Sequence, residues 1–288
     1  MSEFQNTIDR LGDEAVTKAI VERTITEFHD DVIISIGQHA FHNCSDLTSV
    51  NLPNVTSLGE STFQNCSGLT SVSLPNVTKA LNGLFSGCTS LTNVNMPNLE
   101  SAILDTFINC SSLLTIDFPK LKTASNSFAE GCVNLKNVNL PLMSGIGQNF
   151  FRGCVSLKNA VFPSVTTIDG SLAFSNCTSL EYLEFHALNT LANGRLFENS
   201  TNFKTLILRG ETMCEMTSST AFNNSAFSSN GTGGTLLIPR SLVESYKTAT
   251  NWSVYWGYGH NRFLALEDYT IDGTITGEID WDKLNGGN

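Results

Sequence analysis

The sequence predicts a right-handed solenoid of α/β repeats, in which short parallel strands form one sheet and loops or short helices return the chain. Three observations predict this fold class: cysteine recurs every 22 residues, proline keeps the same period, and apolar residues two apart precede each proline. A unit of this size cannot bury a core alone, so neighbouring units must stack. The two columns are Cys44, Cys66, Cys88, Cys110, Cys132 and Cys154, and Pro53, Pro75, Pro97, Pro119, Pro141 and Pro163.

Within one unit, Val50 and Leu52 predict a strand over residues 48–52 with these two side chains inward. Pro53 ends the strand because it has no N–H to give to a ladder. Phe63 and Cys66 fill the interior on the return path. Strands repeated in one direction are parallel, and the crossover between them is right-handed.

The resulting pattern, LxxVxLPxVxxLxxxxFxxC, resembles the BspA-like family of bacterial leucine-rich repeats, whose units carry LPxxLxxIxxxAFxxC. The segments AFHNC at 40–44 and LAFSNC at 172–177 match that signature closely. The resemblance spans about residues 33–239. It implies a curved leucine-rich-repeat solenoid with its parallel β-sheet on the concave face, used for adhesion or partner binding without catalysis.

Four regions are predicted along the chain. Residues 1–32 form an N-terminal helical cap and a first degenerate strand, and residues 33–240 form the solenoid, in units of 22 or 23 residues that degenerate after 186. Residues 241–265 form a C-terminal capping helix that starts at an S-x-x-E capping box, with Trp252 and Trp256 sealing the last turn. Residues 266–288 form an acidic flexible tail. Two irregularities are expected, a kink or bulge at Phe128 and a loop over 213–234 that interrupts the array.

Charge limits the class of partner. The chain carries 16 Lys and Arg against 27 Asp and Glu, a net charge of −11. This balance disfavours nucleic acid and anionic membrane surfaces, and no segment is apolar enough to insert into a bilayer. The N-terminus lacks the features of a secretory signal, so synthesis in the cytoplasm is expected, with the cell surface or a virion as alternative final locations. A monomer is favoured.

The cysteines and histidines are read mainly as structural. A column of stacked thiols is linear and does not suit tetrahedral metal coordination, so each thiol is expected to be a small buried hydrophobe that donates weakly to a carbonyl. Cys214 lies off the column and is expected to be the most reactive thiol. His39, His42 and Cys44 leave a zinc site as an alternative to a solvated loop, but no metal and no cofactor are predicted.

No motif for catalysis occurs, so the candidate functional surface is the solvent side of the predicted sheet. A merely solvated sheet is the alternative. Tyr182, Glu184 and His186, where the repeat weakens, are the favoured contact patch. The candidate residues of this face are Asn51, Ser73, Asn95, Asp117, Asn139, Asn159, Tyr182, Glu184 and His186.

The leading functional hypothesis is a non-enzymatic, adhesin-like scaffold that binds a protein or a glycan. The flanking segments are similar to those around such repeats in proteins of prophages and gut bacteria. An alternative is therefore a structural or receptor-binding accessory protein of a phage or prophage particle. A hydrolase built on the repeat is a remote alternative, which would need a His–carboxylate or Cys–His cluster in a cleft.

Overall fold

The computed structural model describes residues 24–287, which form a parallel-strand β-solenoid of about nine turns. One strand of each turn belongs to a long-strand ladder and a second, shorter strand to a short-strand ladder. The long-strand ladder consists of β1 (Glu27–His29), β3 (Ser49–Asn51), β5 (Ser71–Ser73), β7 (Asn93–Asn95), β9 (Thr115–Asp117), β11 (Asn137–Asn139), β13 (Asn159–Phe162), β15 (Tyr182–Phe185), β17 (Thr205–Leu208), β19 (Thr235–Ile238) and β20 (Arg262–Ala265). The short-strand ladder consists of β2 (Ser35–Ile36), β4 (Ser57–Leu58), β6 (Lys79–Ala80), β8 (Ser101–Ala102), β10 (Thr123–Ala124), β12 (Gly145–Ile146), β14 (Thr167–Ile168), β16 (Thr190–Leu191) and β18 (Glu215–Met216).

The long-strand ladder confirms the predicted strand and its direction. Val50 pairs with Val72 and Val72 with Val94 in parallel register, so each turn lies directly over the preceding one. Val50 and Leu52 are buried, as their two-residue spacing predicts. Hydrogen bonding divides the ladder into three sheets, in the orders β1-β3-β5-β7, β11-β9 and β13-β15-β17-β19-β20.

The return path is more regular than the sequence analysis expected. Part of the return path forms the short-strand ladder. After each short strand, the tight turns of successive units are joined by backbone hydrogen bonds, for example from Phe63 N to Leu84 O at 3.1 Å. Most units hold two residues with positive φ in these turns, four residues apart, and the second position is always asparagine or glycine, which tolerate this conformation best. The residues at that position are Asn43, Asn65, Gly87, Asn109, Gly131, Gly153, Asn176, Asn199 and Asn224.

A phenylalanine column fills the interior. Phe63 and Phe85 stack with ring centroids 5.6 Å apart, and Phe85 stacks on Phe107 at 5.4 Å. Each ring is fully buried. Stacked rings at this spacing match the offset arrangement that aromatic pairs prefer, so one type of contact repeats from turn to turn.

The kink expected at Phe128 is absent from the backbone. Phe107 N donates to Phe128 O and Ala129 N donates to Phe150 O, both at 2.9 Å, so the hydrogen-bond register continues unbroken. Ala129 occupies the column position and leaves room beside it. Phe118, the residue after β9, fills that room by stacking on Phe107 with centroids 5.6 Å apart.

The cysteine column has the structural role that the sequence predicts. The Sγ of Cys88 donates to the carbonyl oxygen of Phe63 at 3.0 Å, and the Sγ of Cys110 donates to that of Phe85 at 3.1 Å. Where the column loses its cysteine, the hydroxyl of Ser200 makes the equivalent bond to Phe174 at 2.6 Å. The thiols are therefore interior hydrogen-bond donors that join consecutive turns.

Two expectations about residues 213–234 are wrong. The array is not interrupted, because β18 pairs with β16 and Phe222 and Phe227 are buried. Cys214 is not a reactive thiol either, because it is fully buried and burial raises its pKa to about 12. Its carbonyl accepts from the indole of Trp252 at 2.9 Å.

The chain after β19 also differs from the expected single capping helix. A 3₁₀ turn (Arg240–Leu242) leads into α1 (Val243–Thr248) and α2 (Trp252–Gly257), and β20 then adds a further parallel strand beside β19. The predicted capping box does not form, because neither the 3₁₀ turn nor α1 has a side-chain cap. Trp252 is buried, whereas Trp256 is 39% exposed and contacts Phe263 of β20 with ring centroids 5.5 Å apart.

The segment predicted as a flexible tail is packed against the sheet. A second 3₁₀ turn (Leu266–Asp268) follows β20, and α3 (Trp281–Leu284) ends the described chain. Leu266, Ile279 and Leu284 are buried in a small second core. The predicted N-terminal helix lies outside the described residues, and β1 lies in the region predicted as a degenerate first strand. The right-handed sense and the helical caps remain predictions.

Candidate functional site

The candidate face is the solvent side of the long-strand ladder. Two residues of each strand point outward, and the parallel register aligns them in two columns. Asn51, Ser73 and Asn95 lie in register in one column, and Asp117 lies beside Asn139 in its continuation. The structure therefore brings together five of the predicted residues in one line.

The remaining predicted residues belong to a different part of the face. Asn159 is in register with Tyr182, in the other outward column, while Val161 takes the place beside Glu184. His186 follows the end of β15. The predicted residues are therefore drawn from both outward columns.

Side-chain hydrogen bonds run along the columns from one turn to the next. The amide of Asn95 donates to the hydroxyl of Ser73 at 3.0 Å, and the amide of Asn139 donates to the carboxylate of Asp117 at 2.7 Å. An amide that donates in one direction keeps its carbonyl oxygen available as an acceptor. The face is therefore a preordered set of mostly uncharged donors and acceptors.

The predicted contact patch is largely occupied by the chain itself. The Tyr182 ring contacts the Trp281 ring with centroids 4.6 Å apart. Glu184 is only 9% exposed and accepts a hydrogen bond from Arg209. The guanidinium of Arg209 also donates to the carbonyl of Ile275 in the C-terminal segment. Glu184 thus holds the chain's own C-terminus and is not presented to a partner.

The electrostatics of Glu184 follow from this packing. Burial alone would raise the pKa of its carboxyl, but the hydrogen bonds from His186 and Arg209 and the charge of Arg209 outweigh burial and lower the pKa. The Nε2 of His186 lies 2.8 Å from the carboxylate. The carboxylate is therefore ionised at neutral pH and pairs with Arg209 beneath the C-terminal segment.

The face changes from polar to apolar along the solenoid. Beyond Glu184, the outward positions of β17, β19 and β20 are Ile207, Leu237 and Leu264, and the second core covers them. The apolar runs TLIL and TLLI carry a signal that the sequence analysis missed. An uninterrupted apolar strand is buried on both faces, so each run indicates that something covers its outer side.

The open part of the face extends from β3 to β13. A shallow depression over β3, β5 and β7 is lined by their outward serine and asparagine side chains. A second depression over β11 and β13 lies between Asn137, Asn159 and Pro163. A cleft is found where Tyr182 meets Trp281.

Within the described part of the chain, the alternative zinc site at His39, His42 and Cys44 finds no geometric support. No group of three His, Cys, Asp or Glu side chains in residues 24–287 could hold a metal ion. The rings of His39 and His42 meet edge to face with centroids 5.5 Å apart, while Cys44 is buried in its column. No helix of this region has the length and apolar character needed to span a bilayer.

Several solved structures are similar to this chain. Among solved structures, the chain is similar to a leucine-rich-repeat protein of T. pallidum, with 27% identity over 51% of this chain and 72% of that one and a TM-score of 0.47. It is also similar to a leucine-rich-repeat protein of Bacteroides ovatus (18% identity, 86% and 85% coverage, TM-score 0.44). A leucine-rich cell surface protein of Faecalibacterium prausnitzii gives 19% identity, 84% and 88% coverage and a TM-score of 0.41.

No curated protein sequence matches the chain. The sequence model described as the BspA type leucine rich repeat region matches residues 22–130 and 121–231, with six copies. These matches cover most of the chain and coincide with the turns of the solenoid. The chain belongs to the BspA-type leucine-rich-repeat family.

Proposed function

We propose that this chain is a non-enzymatic, adhesin-like scaffold that binds a protein partner through the open part of the long-strand ladder, from β3 to β13. The proposal rests on one observation. The outward columns of six successive strands present ordered amide and hydroxyl groups that the C-terminal segment leaves uncovered. Leucine-rich repeats are a fold generally used for binding rather than catalysis, which supports the same reading.

The dimensions and chemistry of the face favour a protein. Six strands at a spacing of about 4.8 Å give a width of roughly 24 Å, which suits a macromolecular surface better than a small ligand. Uncharged amides and hydroxyls pair well with backbone peptide groups. Aromatic and arginine anchors are scarce on this face, so the partner must supply the side chains that contribute most to affinity.

The test uses immobilised full-length chain exposed to surface proteins of candidate host cells, with captured proteins identified by mass spectrometry and their affinities measured. Replacement of Asn95 and Asn139 by Arg should weaken binding by about tenfold or more, because bulky charges then stand in the contact area. Thr123→Arg is the matched control, since Thr123 is exposed on β10 of the other ladder.

A captured protein that binds the Asn95→Arg and Asn139→Arg variants as tightly as the unmodified chain would contradict the proposal. Measurable turnover of that protein would do so as well. The role in a phage or prophage particle stays a prediction, which the neighbouring genes would test. No specific observation favours it over the binding scaffold.

A further inference from the structure

A cleft of about 530 Å³ lies between the first residues of β15 and β17 and helix α3. Its size falls within the range of small-ligand sites, about 300 to 1,000 Å³. It lies beyond the β3–β13 face, at the end of the solenoid where the C-terminal segment docks. Its lining includes Glu181, Tyr182, Asn202, Lys204, Trp281 and Asn285.

Two aromatic rings form its apolar part. Tyr182 and Trp281 pack with centroids 4.6 Å apart and planes inclined by 42°, and both remain partly exposed. Helix α3 fixes the indole, because Leu284 of the same helix is 3% exposed in the second core. The carboxylate of Asp280 caps α3 by accepting from the backbone N–H of Lys283 at 3.0 Å. The aromatic surface is therefore formed before any ligand binds.

The polar groups of the cleft are available to a ligand. Within residues 24–287, no hydrogen-bond partner is found for the side chains of Glu181, Lys204 and Asn285. The amide of Asn202 donates to the carbonyl of Thr178, which leaves its own oxygen free to accept. One lysine and one glutamate balance in charge, so the site offers donors and acceptors with no net charge.

We propose that this cleft binds a neutral oligosaccharide. The C–H face of a pyranose ring packs on exposed aromatic rings, and its hydroxyls exchange hydrogen bonds with amide, ammonium and carboxylate groups. A phosphorylated or acidic ligand would meet one cation in the lining and a chain of net charge −11. A fully apolar ligand would leave the polar side chains desolvated without partners.

The experiment titrates full-length chain with cellotetraose, maltotetraose, mannotetraose and chitotetraose, followed by tryptophan fluorescence and calorimetry. At least one should bind with a dissociation constant in the micromolar to low millimolar range. Trp281→Ala should weaken that binding at least about tenfold and Asn285→Ala about threefold, since each removes a ligand contact. Trp256→Ala is the matched control, because Trp256 is partly exposed on α2 and does not line the cleft.

Failure of all four saccharides to bind would overturn the proposal, and so would equal binding by the Trp281→Ala variant. A strong preference for sialylated or sulfated analogues would also overturn it. Loss of α3 packing in Trp281→Ala would be seen as faster hydrogen exchange in residues 281–284. The exposed Asn285 then provides the decisive variant, because its side chain holds no described structural contact. The Asn95→Arg and Asn139→Arg variants should bind saccharide normally, so this test and the test of the protein-binding face fail independently.

Discussion

The thiol of Cys132 donates a hydrogen bond to the carbonyl oxygen of Phe107 at 3.2 Å, across the boundary between two turns. The same bond recurs along the column, always to a carbonyl of the preceding turn. Each thiol therefore stabilises the contact between consecutive units. Because the thiols are buried in the folded chain, we expect the free energy of unfolding to fall at alkaline pH.

Burial raises the pKa of Cys88, Cys132 and Cys177 to about 12, compared with an ordinary value of 9.0. Above pH 9 the unfolded chain loses these protons while the folded chain keeps them. The free energy of unfolding should therefore fall as pH rises from 9 towards 12, by up to about 1.4 kcal/mol per pH unit for each thiol. Urea unfolding between pH 7 and 11 measures this dependence.

A variant with Cys88→Ser and Cys132→Ser serves as the control for that experiment, because Ser200 already occupies the equivalent position. A hydroxyl does not ionise in this range, so the variant should lose stability less steeply above pH 9. Identical slopes for the variant and the parent chain would show that the thiols do not cause the effect.

The phenylalanine column should dominate the packing energy. Phe107→Ala removes a fully buried ring that contacts Phe85, Phe118 and Phe128, and should lower the free energy of unfolding by about 3 to 5 kcal/mol. Leu104→Ala, in the same turn but 40% exposed, should cost less than about 1 kcal/mol. Chemical denaturation measures both, and equal costs would mean that the ring contributes no more than a surface contact.

The residues with positive φ should respond to substitution according to backbone conformation. Asn109 has φ of 60°, so Asn109→Ala should destabilise the fold by about 1 kcal/mol, since alanine tolerates this region poorly. Asn109→Gly should change stability by less, because glycine adopts it freely. Comparison of the two denaturation midpoints checks the prediction. An alanine variant as stable as the glycine variant would contradict it.

The Arg209–Glu184 pair should control docking of the C-terminal segment. Arg209→Ala removes the guanidinium from the buried Glu184 carboxylate, leaves it His186 alone among the described residues as a side-chain partner, and should cost about 3 kcal/mol. Hydrogen exchange of residues 270–287 should then accelerate. Arg195→Ala breaks an exposed pair with Glu198 and should change stability by less than about 1 kcal/mol. Unchanged exchange in Arg209→Ala would mean that this pair does not anchor the segment.

The period and the core could be predicted from sequence because both depend on side-chain type at fixed spacing. Val50, Phe63 and Cys66 all lie where their repetition indicated. The short-strand ladder could not be predicted, since two residues such as Ser57 and Leu58 carry no alternation that distinguishes a strand from a loop. Backbone hydrogen bonds to the neighbouring turn create it.

The positions of the candidate residues in the fold follow from the sequence where the repeat is regular, but not where it decays. Asn51 and Asn95 follow from the period, but nothing local relates Trp281 to Tyr182, which are far apart in sequence. The apolar outer positions Ile207 and Leu237 indicated a cover without identifying it. Long-range docking depends on complementary surfaces, which a repeat pattern does not encode.

The C-terminal segment determines how many strands of the sheet are exposed. It covers the last strands, and the open columns begin beyond its contact with Tyr182. A longer segment would cover more of the polar face. A shorter one would expose the apolar side chains of Ile207 and Leu237 to solvent and create a site for association with other molecules. Variation in the length of this one segment could therefore adjust how much surface a solenoid of constant core offers to its surroundings.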